Sequence, residues 1–182
     1  FGGGLNGDVE GDTHVVIGKA GSTSFYDGVP AILRNVYGGS ERGLVTGLAT
    51  VDMHNGYIGY EYTGGYSPVL DLDEDLAVRE FEDEGNIYGA GYGEGAVVIN
   101  TLVNLYGGVV RNSVYGGGEI AAVGKGVVAA DKKSAKVEDP GNTEVRIYGY
   151  GGKVLPEVYS DSDIDDLPQI PVVHCNDRIL LY

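Results

Sequence analysis

The chain has a single cysteine, Cys175, no tryptophan, one methionine and only six prolines in 182 residues. One cysteine cannot close an internal disulfide, so packing and backbone hydrogen bonds must hold the fold. Basic residues are scarce as well: 12 Lys and Arg face 27 Asp and Glu, a formal net charge of −15. Phosphate neutralisation needs clustered Lys and Arg, so nucleic acid is not expected as a partner, and an anionic membrane surface is disfavoured for the same reason. No apolar run approaches the roughly 20 residues of a membrane helix, so no membrane span is expected. Helical periodicity is missing too, and glycines inside the apolar segments would each cost a helix about 1 kcal/mol.

Glycine and tyrosine are what the chain has in excess, at 32 and 14 residues. Glycine does not recur at every third position, which excludes collagen, and hydrophobic content of 42% suffices for a core. The glycines punctuate a repeat. The clearest copy runs from Ile87 to Tyr115: Ile87-Tyr88-Gly89 opens it, and Val97, Ile99, Thr101, Val103 and Leu105 alternate through it. It turns at Gly107-Gly108 and meets the next opening at Val114-Tyr115-Gly116, so Tyr88 to Tyr115 spans 27 residues. Other copies open at Phe1-Gly2-Gly3-Gly4 and Val36-Tyr37-Gly38-Gly39. They continue through Val9, Gly11, Thr13, Val15, Ile17 and through Val45, Gly47, Ala49, Val51, Met53. A fourth resumes as Thr143, Val145, Ile147, and a decayed opening stands at Val158-Tyr159.

Spacing of two with polar residues between places one face of each strand in a core and the other in solvent. The expected fold is all-β: a right-handed parallel β-helix of about four to six coils, with an antiparallel sandwich or barrel as the alternative. Residues 1–160 form the repeat domain, interrupted by insertions at 18–31, 59–85 and 125–141. The first and last of these read as loops, and 59–85 as a degenerate coil or an excursion; residues 161–182 diverge. Val15, Val51, Val103, Val145 and Ile17, Met53, Leu105, Ile147 should stack as inward ladders, with Tyr37, Tyr88, Tyr115 and Tyr159 pointing outward.

The pattern Val-Tyr-Gly-Gly-Gly, then Val-x-Gly-x-Thr-x-Val-x-Ile, then Gly-Gly-x-Val resembles the glycine-rich repeats of surface-exposed and secreted proteins of Bacteroidetes-type gut bacteria. That resemblance covers about residues 1 to 160, apart from 59–85 and 125–141. It implies a parallel β-helix at the bacterial cell surface or outside the cell, and says little of activity.

Candidate chemistry is sparse. Outward columns Val16, Asp52, Asn104, Arg146 and Gly18, His54, Tyr106, Tyr148 gather Asp52, His54 and Arg146 on one face. Asp52 has no second carboxylate beside it, as a polysaccharide-cleaving acid and base would need. Asp161, Asp163 and Asp165 have the first spacings of a calcium loop. The sixth-place glycine and twelfth-place glutamate are missing, so only a looser calcium site remains open there, or at Asp71 to Asp75. His174-Cys175 and the glycine runs match no zinc, nucleophile or phosphate-loop pattern. Tyr57, Tyr60, Tyr62, Tyr66, Tyr106 and Tyr148 suggest an aromatic surface for a glycan or a partner protein.

The expected function is therefore a non-enzymatic, cell-surface or secreted stalk, adhesin or self-assembling fibre, binding glycan or protein through its loops. The alternative is a polysaccharide-degrading lyase or glycoside hydrolase. Because Phe1 falls inside a repeat, the sequence is expected to be part of a longer chain or to stack end to end with its copies.

Overall fold

A computed structural model describes residues 1–20, 30–59, 84–148 and the strand at 173–175. Strand is the dominant regular structure and helix is absent among these residues, so the chain is all-β. Among the described residues, thirteen strands distribute over three sheets. The first sheet holds β1 (Thr13–Ile17), β4 (Gly43–Met53), β7 (Ala96–Leu105) and β12 (Thr143–Ile147), with β10 (Ala122–Val128) and β11 (Ala135–Pro140). The second holds β2 (Ala31–Ile32), β5 (Tyr57–Ile58), β8 (Gly108–Val110) and β13 (Val173–Cys175). The third holds β3 (Val36–Tyr37), β6 (Ile87–Tyr88) and β9 (Val114–Tyr115). In chain order the backbone visits first, second and third sheet and then returns to the first.

Pairing between successive visits is parallel: β1 with β4, β4 with β7, β7 with β12, and likewise β2-β5-β8-β13 and β3-β6-β9. The first sheet is mixed, because β10 pairs parallel with β7 and antiparallel with β11. The alternating residues stack as their spacing predicts, except that Val145 and Ile147 of β12, expected to face inward, are 37% exposed. Val15 is opposite Val51, which is opposite Val103, which is opposite Val145; Ile17, Met53, Leu105 and Ile147 align in the same way. Ile17, Val51, Met53, Val103 and Leu105 are buried with Val36, Ile58, Ile87 and Val110 in one cluster, fed by all three sheets. A second cluster, Val45, Ala49, Ala90 and Val98, fills the corner beside it.

Two expectations are corrected. Val45 pairs with Val98 rather than Val97, because the register slips between Val45 and Leu48. The slip is a bulge at Thr46-Gly47, pinned when Asp12 Oδ1 accepts the Leu48 amide at 2.7 Å and Thr46 Oγ1 accepts the Gly11 amide at 2.8 Å. Residues 125–141, read as a loop, instead form most of the β10–β11 hairpin. Part of the divergent C-terminal stretch also joins the fold, as β13 on β8.

The hairpin tip reaches back to the start of the chain. Lys132 Nζ donates to Asp8 Oδ1 at 2.6 Å, and the same oxygen accepts the Leu44 amide at 2.8 Å. The Lys132 hydrogen bond first, then that amide, hold the Asp8 carboxyl below its ordinary value. A depressed folded-state value contributes stability above the ordinary carboxylate pKa, about 4, and loses it as pH falls through the folded value. Half of the Asp8 side chain is exposed, so Lys132→Ala is expected to cost less than about 1 kcal/mol at pH 7. Urea melts at pH 7 and in acid should show that difference shrink as the pH drops.

The tyrosines of β3, β6 and β9 lie opposite the core residues Val36 and Ile87, as expected, yet Tyr37 is only 7% exposed. They cover one another: Phe1, Tyr37, Tyr88 and Tyr115 stack with ring centroids 4.5, 5.1 and 5.0 Å apart. Just before these tyrosines in sequence, a ladder of side-chain amides joins successive turns of the chain. Asn35 Oδ1 accepts the backbone amide of Asn86 at 2.8 Å, and Asn86 Oδ1 accepts that of Ser113 at 3.0 Å.

Candidate functional site

The outward face of the first sheet assembles the predicted columns. Asp52 pairs with Val16 on one side and Asn104 on the other, and Asn104 pairs with Arg146. His14 lies two residues before Val16, so it projects from the same face, one column along. Its Nε2 lies 2.7 Å from Asp52 Oδ2, while Asn104 Nδ2 donates to Asp52 Oδ1 at 2.7 Å. Both oxygens of this carboxylate are therefore engaged by neighbouring strands.

Arg146 turns to its own strand. Its Nε and Nη2 donate to Glu144 Oε1 and Oε2 at 2.7 and 2.9 Å, a two-pronged pair. That pair holds Glu144 below the ordinary carboxylate range and Arg146 above its own, the Glu144 hydrogen bond leading and Tyr148 contributing to the latter. The third column stacks His54 on Tyr106 and Tyr106 on Tyr148, each at 4.7 Å between centroids and within 13° of parallel. Desolvation first, and the Asp52 charge second, raise the Tyr106 phenol above its ordinary value.

Of the tyrosines singled out as ligand contacts, Tyr106 and Tyr148 come together in this stack. Tyr57 does not join them at the surface: it sits in β5, opposite the core residue Ile58, and is 2% exposed. Its ring is thus structural rather than ligand-facing. Tyr60, Tyr62, Tyr66, the acidic positions Asp71 to Asp75, and Asp161, Asp163 and Asp165 lie outside the described residues. Among the described residues, no group of three His, Cys, Asp or Glu side chains could hold a metal ion. No helix among them is long and apolar enough to cross a membrane, which says nothing of a β-barrel.

A second polar patch, on the outer side of the third sheet, was missed in the sequence. Arg34 Nε and Nη2 donate to Glu84 Oε1 at 3.0 and 2.6 Å. The Tyr37 hydroxyl donates to Glu119 in a short hydrogen bond and accepts from Asn35 Nδ2 at 3.2 Å. Burial and then the Glu119 hydrogen bond push this phenol far above its ordinary value. Tyr92 meets the Tyr37 ring edge-on at 5.9 Å, and the Arg34 guanidinium is held above its ordinary value by Glu84 first, with smaller contributions from both phenols. The pairs bridge 50 and 82 residues. Spacing within one copy could not reveal them; the only local signal was the placing of Arg34-Asn35 directly before Val36-Tyr37.

No protein-family model, no curated protein and no solved structure matches this chain.

Proposed function

We propose that this chain is a right-handed parallel β-helix of four to six coils, serving as a non-enzymatic stalk, adhesin or fibre component at or outside a bacterial cell surface. The observation that carries this reading is the repeated visit to three sheets in a fixed order, with parallel pairing at every return. Such a stack buries a continuous core and presents long flat faces, the geometry of a spacer or a display scaffold. Right-handedness follows the strong preference of parallel crossovers. The surface location and bacterial setting rest on the resemblance of the glycine-rich repeats.

The first-sheet face supports the non-enzymatic half. Asp52 is saturated by His14 and Asn104, and Glu144 by Arg146, so these carboxylates serve as ties between and along strands. A hydrolase needs two carboxylates free to face one substrate bond. Incubating the chain with pectin, alginate and xylan should release neither unsaturated uronates nor reducing ends above the level of an Asp52→Ala variant. Turnover that disappears in that variant would replace this reading with the enzymatic one. His14→Ala removes an exposed partner, and is expected to lower the melting free energy by less than about 1 kcal/mol.

A further inference from the structure

We propose that Arg34, Glu84, Tyr37, Tyr92 and Glu119 form a binding site for one uncharged sugar ring of a glycan. The site deepens the adhesin reading above and rests on it. A pyranose presents a face of C–H groups and a rim of hydroxyls, each both donor and acceptor. It is held by an aromatic face beside a few fixed charged or amide groups.

Tyr92 supplies the aromatic wall. It meets Tyr37 at 70°, outside the Phe1–Tyr37–Tyr88–Tyr115 stack that covers the other rings' faces, and it is 38% exposed. Arg34 supplies the donors. Its side chain is 69% exposed and spends two N–H groups on Glu84 Oε1; a guanidinium has five. Among the described residues, the other three donors and Glu84 Oε2 have no partner and are available to hydroxyls. Glu119 supplies a second acceptor, fixed in place because Tyr37 donates to one of its oxygens and Asn35 fixes Tyr37. Tyr37 lies in β3, Arg34 just before it, Glu84 and Tyr92 on either side of β6 and Glu119 after β9. The hydrogen bonds among them set the groups before a ligand arrives, which lowers the entropic cost of binding.

Charge selects the ligand. Two carboxylates against one guanidinium leave the patch net negative, within a chain of formal charge −15. Uronate polymers are repelled, and a neutral hexose or pentose unit is not.

The test is calorimetric titration of the full chain with cellohexaose, mannohexaose, xylohexaose and, as the charged counterpart, polygalacturonate. At least one uncharged oligosaccharide should bind. Tyr92→Ala and Arg34→Ala should each weaken it about tenfold or more, a loss typical of a central contact. Tyr92→Phe, which keeps the wall, and His14→Ala, on another sheet, should stay within about twofold of the parent protein. Unchanged melting of the variants separates lost contact from lost fold. No binding by any uncharged probe, binding of polygalacturonate instead, or affinity indifferent to both alanine variants would overturn the site. Cleavage of a bound oligosaccharide, seen by chromatography, would sink the adhesin reading; binding that ignores Tyr92 and Arg34 would sink this site alone.

Discussion

Gly38→Ala is expected to destabilise the fold by about 4 kcal/mol, beyond the roughly 1–3 kcal/mol of ordinary overpacking. A methyl at Gly38 would come closer than 3.0 Å to the carbonyl oxygen of Gly89 and press on Val51 Cγ2 at 3.1 Å. The obstacle is backbone, which no rotamer change can move. It is also backbone already committed, since the Gly38 amide donates to the Tyr88 carbonyl at 2.9 Å and so sets the distance between the strands. The φ angle at Gly38 is not in the positive region, so the cost is steric and not conformational. Gly2 meets Gly38, and Gly89 meets Gly116, in the same way, which makes one column of close approach at the corner after the third sheet. With total stability of typically about 5–15 kcal/mol, one methyl there should shift the urea midpoint severely or unfold the chain. Gly7→Ala is the control. A methyl at Gly7 meets nothing within 4 Å, and the change should stay within about 0.5 kcal/mol. Equal melts for the two variants would show that the corner can widen freely.

That column was legible in the sequence, because glycine directly follows the aromatic residue at Phe1, Tyr37, Tyr88 and Tyr115. The inward ladders were legible for the same reason. Val15, Val51, Val103 and Val145 pair in one column, and a shift of one residue would turn the buried Val51 and Val103 to solvent. Sequence reading failed where strands carry an unequal number of residues. Val97 and Val98 are both fully buried, so apolarity could not tell which of them faces Val45; the bulge at Thr46-Gly47 decides it. The β10–β11 hairpin was hidden differently. Its alternation is weak, and its pairing with β7 lasts only two residues, Ala122 and Val123.

The site shows the same division. His54, Tyr106 and Tyr148 share one column position in successive copies, so the stack could be written down from spacing. Tyr57 has the same side-chain chemistry, yet it occupies a two-residue strand where neither neighbour is polar enough to betray which face is covered. Arg34 with Glu84, and Tyr37 with Glu119, join residues that lie at unequal places in their copies. Charge complementarity across copies has no periodic signature, so only geometry assembles that patch.

The asparagine ladder carries the second large effect. Asn86→Ala is expected to cost about 3 kcal/mol, although it removes no apolar area from the core. Asn86 is 3% exposed, and its side chain works in both directions. Its Oδ1 accepts the Ser113 amide at 3.0 Å, and its Nδ2 donates to Asn35 Oδ1 at 3.2 Å. Alanine would leave the part-buried Ser113 amide without this acceptor. One orphaned buried donor costs about 1–3 kcal/mol, and a carbonyl that loses one of two donors costs less. The remaining Asn35 Oδ1 bond, to the Asn86 backbone amide at 2.8 Å, survives the change because it needs no side chain. Asn86→Asp separates the two roles. It keeps the acceptor for Ser113 but faces Asn35 Oδ1 with an oxygen, so at neutral pH it should be at least as damaging as alanine. Burial and the facing oxygen raise the folded-state pKa of that carboxyl above its ordinary value of about 4. Once protonated it can donate again, so the deficit should shrink as pH falls through the raised value towards about 4. Urea melts of both variants across that range decide the matter. A pH-independent Asn86→Asp, or an Asn86→Ala within about 0.5 kcal/mol of the parent, would mean that the ladder follows from the fold rather than supports it.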